Sequence, residues 1–84
     1  MDIDEVKSRI KGCISKVTSI DPQKIADDAS YVEDLALDSL SILETVVEVE
    51  YHFNIKVPEE ELSAIRTVDD TISTVRKYLC LQAA

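Results

Sequence analysis

Tryptophan is absent from this 84-residue sequence, and glycine, phenylalanine and histidine each occur once. One Gly and two Pro leave little material for tight β-turns. No short stretch alternates apolar and polar residues with period two, so the expected class is all-α. Basic residues are scarce as well, 9 against 17 acidic ones, for a net charge of −8. Nucleic acid is disfavoured as a partner because the basic footprint it needs is missing. Partners with basic patches are favoured instead, since complementary charge steers encounter. No apolar run approaches the roughly 18–20 residues that cross a bilayer. The acidic start Met1-Asp2-Ile3-Asp4-Glu5 is the opposite of a secretory n-region, and a cytoplasmic location is expected. The two cysteines, Cys13 and Cys80, stand in no metal-ligand spacing. Both fall on helical stripes and are expected as buried or half-buried free thiols.

What is present is globular: 45% hydrophobic and 31% charged residues, enough for one domain spanning 1–84 with a small core. Ile3, Val6, Ile10, Cys13, Ile14 and Val17 recur at spacings of three and four, which predicts a first amphipathic helix. Gly12 within it costs about 1 kcal/mol against Ala unless a close neighbour needs the missing side chain. Pro22 pushes Asp21 out of the helical region and closes this segment. Residues 19–37 then form a long connection whose anchors (Ile20, Ile25, Tyr31, Val32, Leu35 and Leu37) predict a strap across a bundle.

A second helix is expected from Ser39 to Phe53, with Asp38 as its N-cap. Its stripe reads Leu40, Leu43, Val46, Val47, Glu50 and Phe53, while Ile42 and Val49 lie off it, which predicts burial on more than one side. Val57-Pro58-Glu59-Glu60-Glu61-Leu62 begins a short third helix, its carboxylates where the dipole favours them. Thr67-Val68-Asp69-Asp70 opens the last helix as an approximate capping box, followed by a stripe of Val68, Ile72, Val75 and Leu79. The expected architecture is a four-helix bundle of three main helices and one short one, with a long first loop. Tyr31, Tyr51 and Tyr78 read as packing residues, and His52 as an exposed helix-end residue.

Ser39 follows a capping aspartate at a helix N-terminus, a place that favours negative charge and would suit an attached phosphate. A nucleophile there would need a base, and the one histidine, His52, lies thirteen residues along the same helix, roughly 20 Å away. No triad can form within the chain. From Asp27 to Leu62 eleven acidic residues face a single base, Lys56. Segregation this strong points to a docking surface, in which Glu44 and Glu48 share one helical face. Calcium is disfavoured, because Asp27, Asp28, Glu33 and Asp34 lack EF-hand spacing and its central glycine. An acidic helical adaptor with an unmodified Ser39 remains the alternative on these grounds.

The run Tyr31-Val32-Glu33-Asp34-Leu35-Ala36-Leu37-Asp38-Ser39-Leu40, with Glu44 and then Phe53-Asn54-Ile55-Lys56-Val57-Pro58, closely resembles the acyl carrier protein family. The likeness runs from the first helix through Thr67-Val68. It implies a discrete, monomeric, non-catalytic carrier in which a phosphopantetheinyl transferase places the 4'-phosphopantetheine of coenzyme A on Ser39. The thiol of that arm would hold acyl groups as thioesters. By the same resemblance Asp38 caps the helix and positions the transferase complex, Leu40 gives partners an apolar contact, and Glu44, Glu48 and Glu50 form the acidic recognition face. Acyltransferases, ketosynthases or related enzymes with basic patches are the implied partners. A sequestered chain would lie near Leu43, Val46, Val47 and Ile65. Carriers of fatty acid synthesis usually have Gly at the position of Ala36 and an acidic residue at that of Ser41. These departures leave polyketide or other specialised lipid pathways open.

Overall fold

The computed structural model describes residues 2–83 and, among them, four α-helices with no named strand. Helix α1 spans Ile3–Thr18, α2 Ser39–Phe53, α3 Glu59–Ala64 and α4 Val68–Ala83. The expected bundle of three long helices and one short one is present. Helix α1 starts on Asp2, whose Oδ1 accepts from the Glu5 N–H at 2.8 Å, and stops at Ser19 in the left-handed conformation. Helix α4 starts on the predicted capping box: the Asp70 N–H donates to Thr67 Oγ1 at 3.1 Å, and Asp70 Oδ2 accepts from the Thr67 and Arg66 N–H groups. These bonds satisfy amides that a helix start otherwise leaves open.

The core is one cluster. Helix α1 contributes Val6, Ile10, Cys13 and Ile14, α4 contributes Val68, Ile72 and Val75, and α2 contributes Val46, Val49 and Phe53. Burial pushes the Cys13 thiol up, as expected for a charge-free interior sulfur. Cys80, expected at least half-buried, is exposed, because it lies outside the stripe of Ile72, Val75 and Leu79 that turns α4 inward.

The connection between α1 and α2 is a strap, as its anchors predicted. Ile25, Ala29 and Tyr31 are buried in the core, Leu35 and Leu37 pack against it, and only Val32 of the expected anchors is largely exposed. A short 3-10 turn at Pro22–Lys24, capped by Asp21, opens the strap. Asp27 is clamped to α1, with Lys11 Nζ at 2.5 Å and Lys7 Nζ at 2.9 Å. Ser30 pairs antiparallel with Thr67 in an isolated bridge, and the Tyr31 N–H donates to the Arg66 carbonyl at 3.0 Å. Tyr31 is fully buried, its hydroxyl 2.5 Å from Thr71 Oγ1, so this one aromatic ring fixes the strap against α4.

Helix α2 differs from its expected stripe. Thr45, Val46, Val49 and Phe53 are buried and Ile42 packs against the core, whereas Leu40, Leu43 and Val47 are 62%, 47% and 52% exposed. One side of α2 is buried rather than several, and an apolar row faces outward. Two interleaved apolar rows run along this helix, and periodicity alone does not say which turns inward. Packing against α1 and α4 settles it, and Thr45 can enter the core on that side because its hydroxyl donates to the Ser41 carbonyl at 2.8 Å. Tyr51 continues the outer row at 85% exposure and is not the packing residue expected.

Candidate functional site

The strap delivers the chain to α2 through short-range bonds that follow from the burial of Tyr31. The Tyr31 carbonyl accepts from the Leu37 N–H at 2.8 Å, and the Ser30 carbonyl accepts from the Asp34 and Leu35 N–H groups. Between Leu35 and Leu37 the backbone turns at Ala36 with φ 55°, the left-handed region, where a Cβ is disfavoured. Asp38 then takes extended geometry, and its Oδ1 accepts from the Ser41 N–H at 2.8 Å. That bond, with help from the Ser41 hydroxyl, holds the Asp38 carboxyl below the usual carboxylate range. The N-cap expected from residue type is therefore in place.

Ser39 is the first residue of α2 and is exposed, as are Asp38 and Leu40. Ser41 is half-buried beneath the cap. A cavity of about 360 Å³ opens beside Ser39 between α2 and α3. Ile42, Leu43 and Val46 line one side of it and Leu62 and Ile65 the other, with Ser39, Glu59 and Ser63 completing the wall. Leu43, Val46 and Ile65 were expected here, and Val47 is not part of the lining. An exposed hydroxyl at a helix N-terminus beside an apolar cleft fits a phosphate-linked arm with an apolar cargo.

The acidic residues divide by what they already hold. Glu44 is exposed. Glu48 Oε1 accepts from Lys16 Nζ at 2.8 Å and ties α2 to α1. Glu50 Oε2 accepts from the Val57 N–H at 2.8 Å, which folds the segment after α2 back onto the helix. His52 is exposed at the far end of α2, 3.3 Å from Arg9 through Nε2. In the strap, Asp27 is engaged by the two lysines and Asp34 Oδ2 accepts from the Ser30 N–H at 2.7 Å. Sequence reasoning missed the internal duties of Glu48 and Glu50, since each depends on a partner distant along the chain or beyond a turn. It also missed Glu61, whose carboxylate accepts from Lys77 Nζ at 2.6 Å and from the Tyr78 hydroxyl.

A capped helix start bearing an exposed serine, set beside an apolar cleft in a four-helix bundle, defines a carrier-type domain. The profile of the phosphopantetheine attachment site family matches residues 8–75, and the chain belongs to that family, whose members carry 4'-phosphopantetheine covalently. The meromycolate extension acyl carrier protein of Mycobacterium tuberculosis is 38% identical over 74 residues, covering 88% of this chain and 64% of that protein. This chain thus matches under two thirds of that relative's length. The acyl carrier protein of Rhodococcus erythropolis is 36% identical over 74 residues, 88% of this chain and 81% of its own. That of Thermosynechococcus vestitus is 32% identical over 75 residues, 89% and 93% respectively. A solved structure assigned as an acyl carrier protein of Mycobacterium tuberculosis superposes with a TM-score of 0.81 at 26% identity, covering 87% of this chain and 97% of the other.

Proposed function

We propose that Ser39 bears the 4'-phosphopantetheine arm and that the protein is an acyl carrier, non-catalytic itself, serving enzymes of fatty acid, polyketide or other specialised lipid biosynthesis. The observation that carries this reading is the exposed Ser39 at the start of α2, capped by Asp38 and bordering the α2–α3 cavity. When bound, the arm supplies a thiol that holds acyl groups as thioesters. The chain's own residues do the rest. Asp38 fixes the first turn of α2 and so presents the Ser39 hydroxyl to a phosphopantetheinyl transferase, while the amides of that turn favour the phosphate charge. Ile42, Leu43, Val46, Leu62 and Ile65 offer the acyl chain an apolar refuge from water.

Docking falls to the outer row of α2. Leu40 supplies an apolar contact and Glu44 an exposed carboxylate with no ion-pair partner among the described residues. Glu48 and Glu50 add negative potential from positions where each also holds a bond within the fold. Weak, salt-sensitive contacts suit a carrier that must leave each enzyme quickly, and tethering raises the effective concentration of the thioester at each active site. Among the described residues no helix is long and apolar enough to cross a membrane. No cluster of three or more His, Cys, Asp or Glu among them is arranged to hold a metal ion.

Incubation with a phosphopantetheinyl transferase, coenzyme A and magnesium tests the proposal, with intact mass as the readout. The protein should gain one phosphopantetheine and then accept an acyl group as a hydroxylamine-labile thioester. A protein whose mass never changes would be the acidic adaptor instead.

A further inference from the structure

The two walls of the Ser39 cavity are built very differently. Helix α2 is fifteen residues long, capped at both ends and packed against α1 and α4. Helix α3 has six residues, none of them buried, and its N-cap Pro58 makes no side-chain cap bond. A helix this short does not persist on its own propensity. Its attachments are therefore identifiable. Leu62 packs against the core, Ile65 is buried just beyond its end, and Glu61 reaches α4.

At that last attachment one carboxylate takes both the Lys77 ammonium and the Tyr78 hydroxyl. The Glu61 carboxyl is held below its usual range by these two donors, chiefly Lys77, and the Tyr78 hydroxyl is pushed up by Glu61. Lys77 also stands 5.4 Å from the Tyr78 ring centre, so the three side chains form one cluster. None of them lines the cavity. What they hold is the helix that does: Glu59, Leu62 and Ser63 of α3 are part of its wall, as is Ile65.

We infer that Glu61, Lys77 and Tyr78 form a latch that sets the distance of α3 from α2, and thereby the length of straight-chain acyl group that the cavity encloses. These are positioning residues, acting on cargo through α3. The inference rests on the carrier reading of Ser39. With the latch closed, a cavity of about 360 Å³ limits how much chain is hidden. With the latch broken, α3 keeps its apolar tethers, Leu62 and Ile65 with Val57 just before its start, and its C-terminal half can move outward over a longer chain. Because the cluster faces α4, it can be altered without touching the cavity lining or the first turn of α2.

Two readouts test this on the full chain, with Glu61→Ala and Tyr78→Phe as latch variants and Glu60→Ala as a control. Glu60 is an exposed neighbour in α3 carrying the same charge. The first readout is hydrogen exchange in the unmodified protein. The latch variants should speed exchange at the Glu61, Leu62 and Ile65 amides about tenfold, the scale of one lost charge-assisted hydrogen bond, with α2 amides unchanged. The second is protection of the thioester from hydroxylamine across hexanoyl, octanoyl, decanoyl and dodecanoyl forms. The best-protected length should move upward in both latch variants and stay put in Glu60→Ala. Unchanged α3 exchange, or an unchanged length profile on protein that carries the arm, overturns the latch while leaving the carrier reading intact. Wild-type protein that never gains the arm, by intact mass, overturns both. Tyr78→Phe keeps the ring and its packing, so it remains informative if Glu61→Ala lowers global stability.

Discussion

Ala36 holds a left-handed backbone, φ 55°, two residues ahead of the capping aspartate. A Cβ in that region costs roughly 1–2 kcal/mol, part of which glycine returns as greater unfolded-state entropy. Ala36→Gly should therefore stabilise the fold by up to ~1 kcal/mol in urea unfolding, and a loss of stability would contradict the strain argument. The departure from the usual family glycine was legible as a residue type, but its meaning was not, since no sequence pattern reports the sign of φ. Tyr31 carries the opposite kind of information. Burial raises its hydroxyl from the ordinary 10 to about 12, partly offset by the bond to Thr71. Below pH 10 both states keep the proton and the stabilising contribution is complete. From pH 10 towards about 12 the unfolded chain ionises first, and stability falls. Tyr31→Phe should flatten that alkaline loss while costing ~1 kcal/mol at neutral pH, through the hydrogen bond surrendered at Thr71. Equal alkaline slopes in the two proteins would show that Tyr31 does not govern them. Both residues act on the site from a distance, through the turn that places Asp38 and Ser39.

Helix α1 was legible almost to the residue, because its apolar stripe has one phase and its ends carry Asp2 and a break before Pro22. Its interior Gly12 has no neighbour within 4 Å of where a Cβ would stand. No packing reason offsets its low propensity, and Gly12→Ala should raise stability by about 1 kcal/mol. Thermal unfolding checks this, and a lower midpoint would mean an unseen contact at that face. The strap depends on α1 through Asp27, whose carboxyl the Lys11 and Lys7 ammonium groups hold at about 2 against an ordinary 3.8. Its stabilising share is full above pH 3.8 and is lost as pH falls towards about 2. Asp27→Asn should remove that acid-side dependence, with a small cost at neutral pH because the pair is partly exposed. Helix α2 was legible in extent and cap but not in orientation. Ile42, Val46, Val49 and Phe53 form as good a stripe as Leu40, Leu43 and Val47. The choice between them rests on contacts with α1 and α4 that lie far away in sequence. For the same reason the Glu61 cluster could not be foreseen, since its partners are sixteen and seventeen residues distant.

Across the whole molecule, charge separates into an acidic stretch from the strap through α3 and a slightly basic remainder. The lysines of that remainder partly reach back, Lys16 to Glu48, Lys77 to Glu61 and Lys7 with Lys11 to Asp27. Glu44 is left on the exposed side of α2 beside the outward apolar row. Glu44→Lys should therefore weaken binding to a partner enzyme most strongly at low salt, with little effect on folding, and affinity insensitive to both changes would reduce that face to solvation. Glu48→Lys should cost stability as well, because it also loses Lys16. The class of protein was legible from the run Tyr31–Leu40 taken with Glu44 and the Phe53–Pro58 exit from α2. The division of labour among the glutamates was not, because it depends on which carboxylates the fold already uses. Ser39, and not the half-buried Ser41 two residues on, is the proposed attachment point. Tandem mass spectrometry of the peptide spanning 35–43 after transferase treatment locates the arm, in wild type, Ser39→Ala and Ser41→Ala. The arm should sit on Ser39 in wild type and in Ser41→Ala, and be missing from Ser39→Ala. An unmodified wild type, or an arm that survives Ser39→Ala, would contradict it.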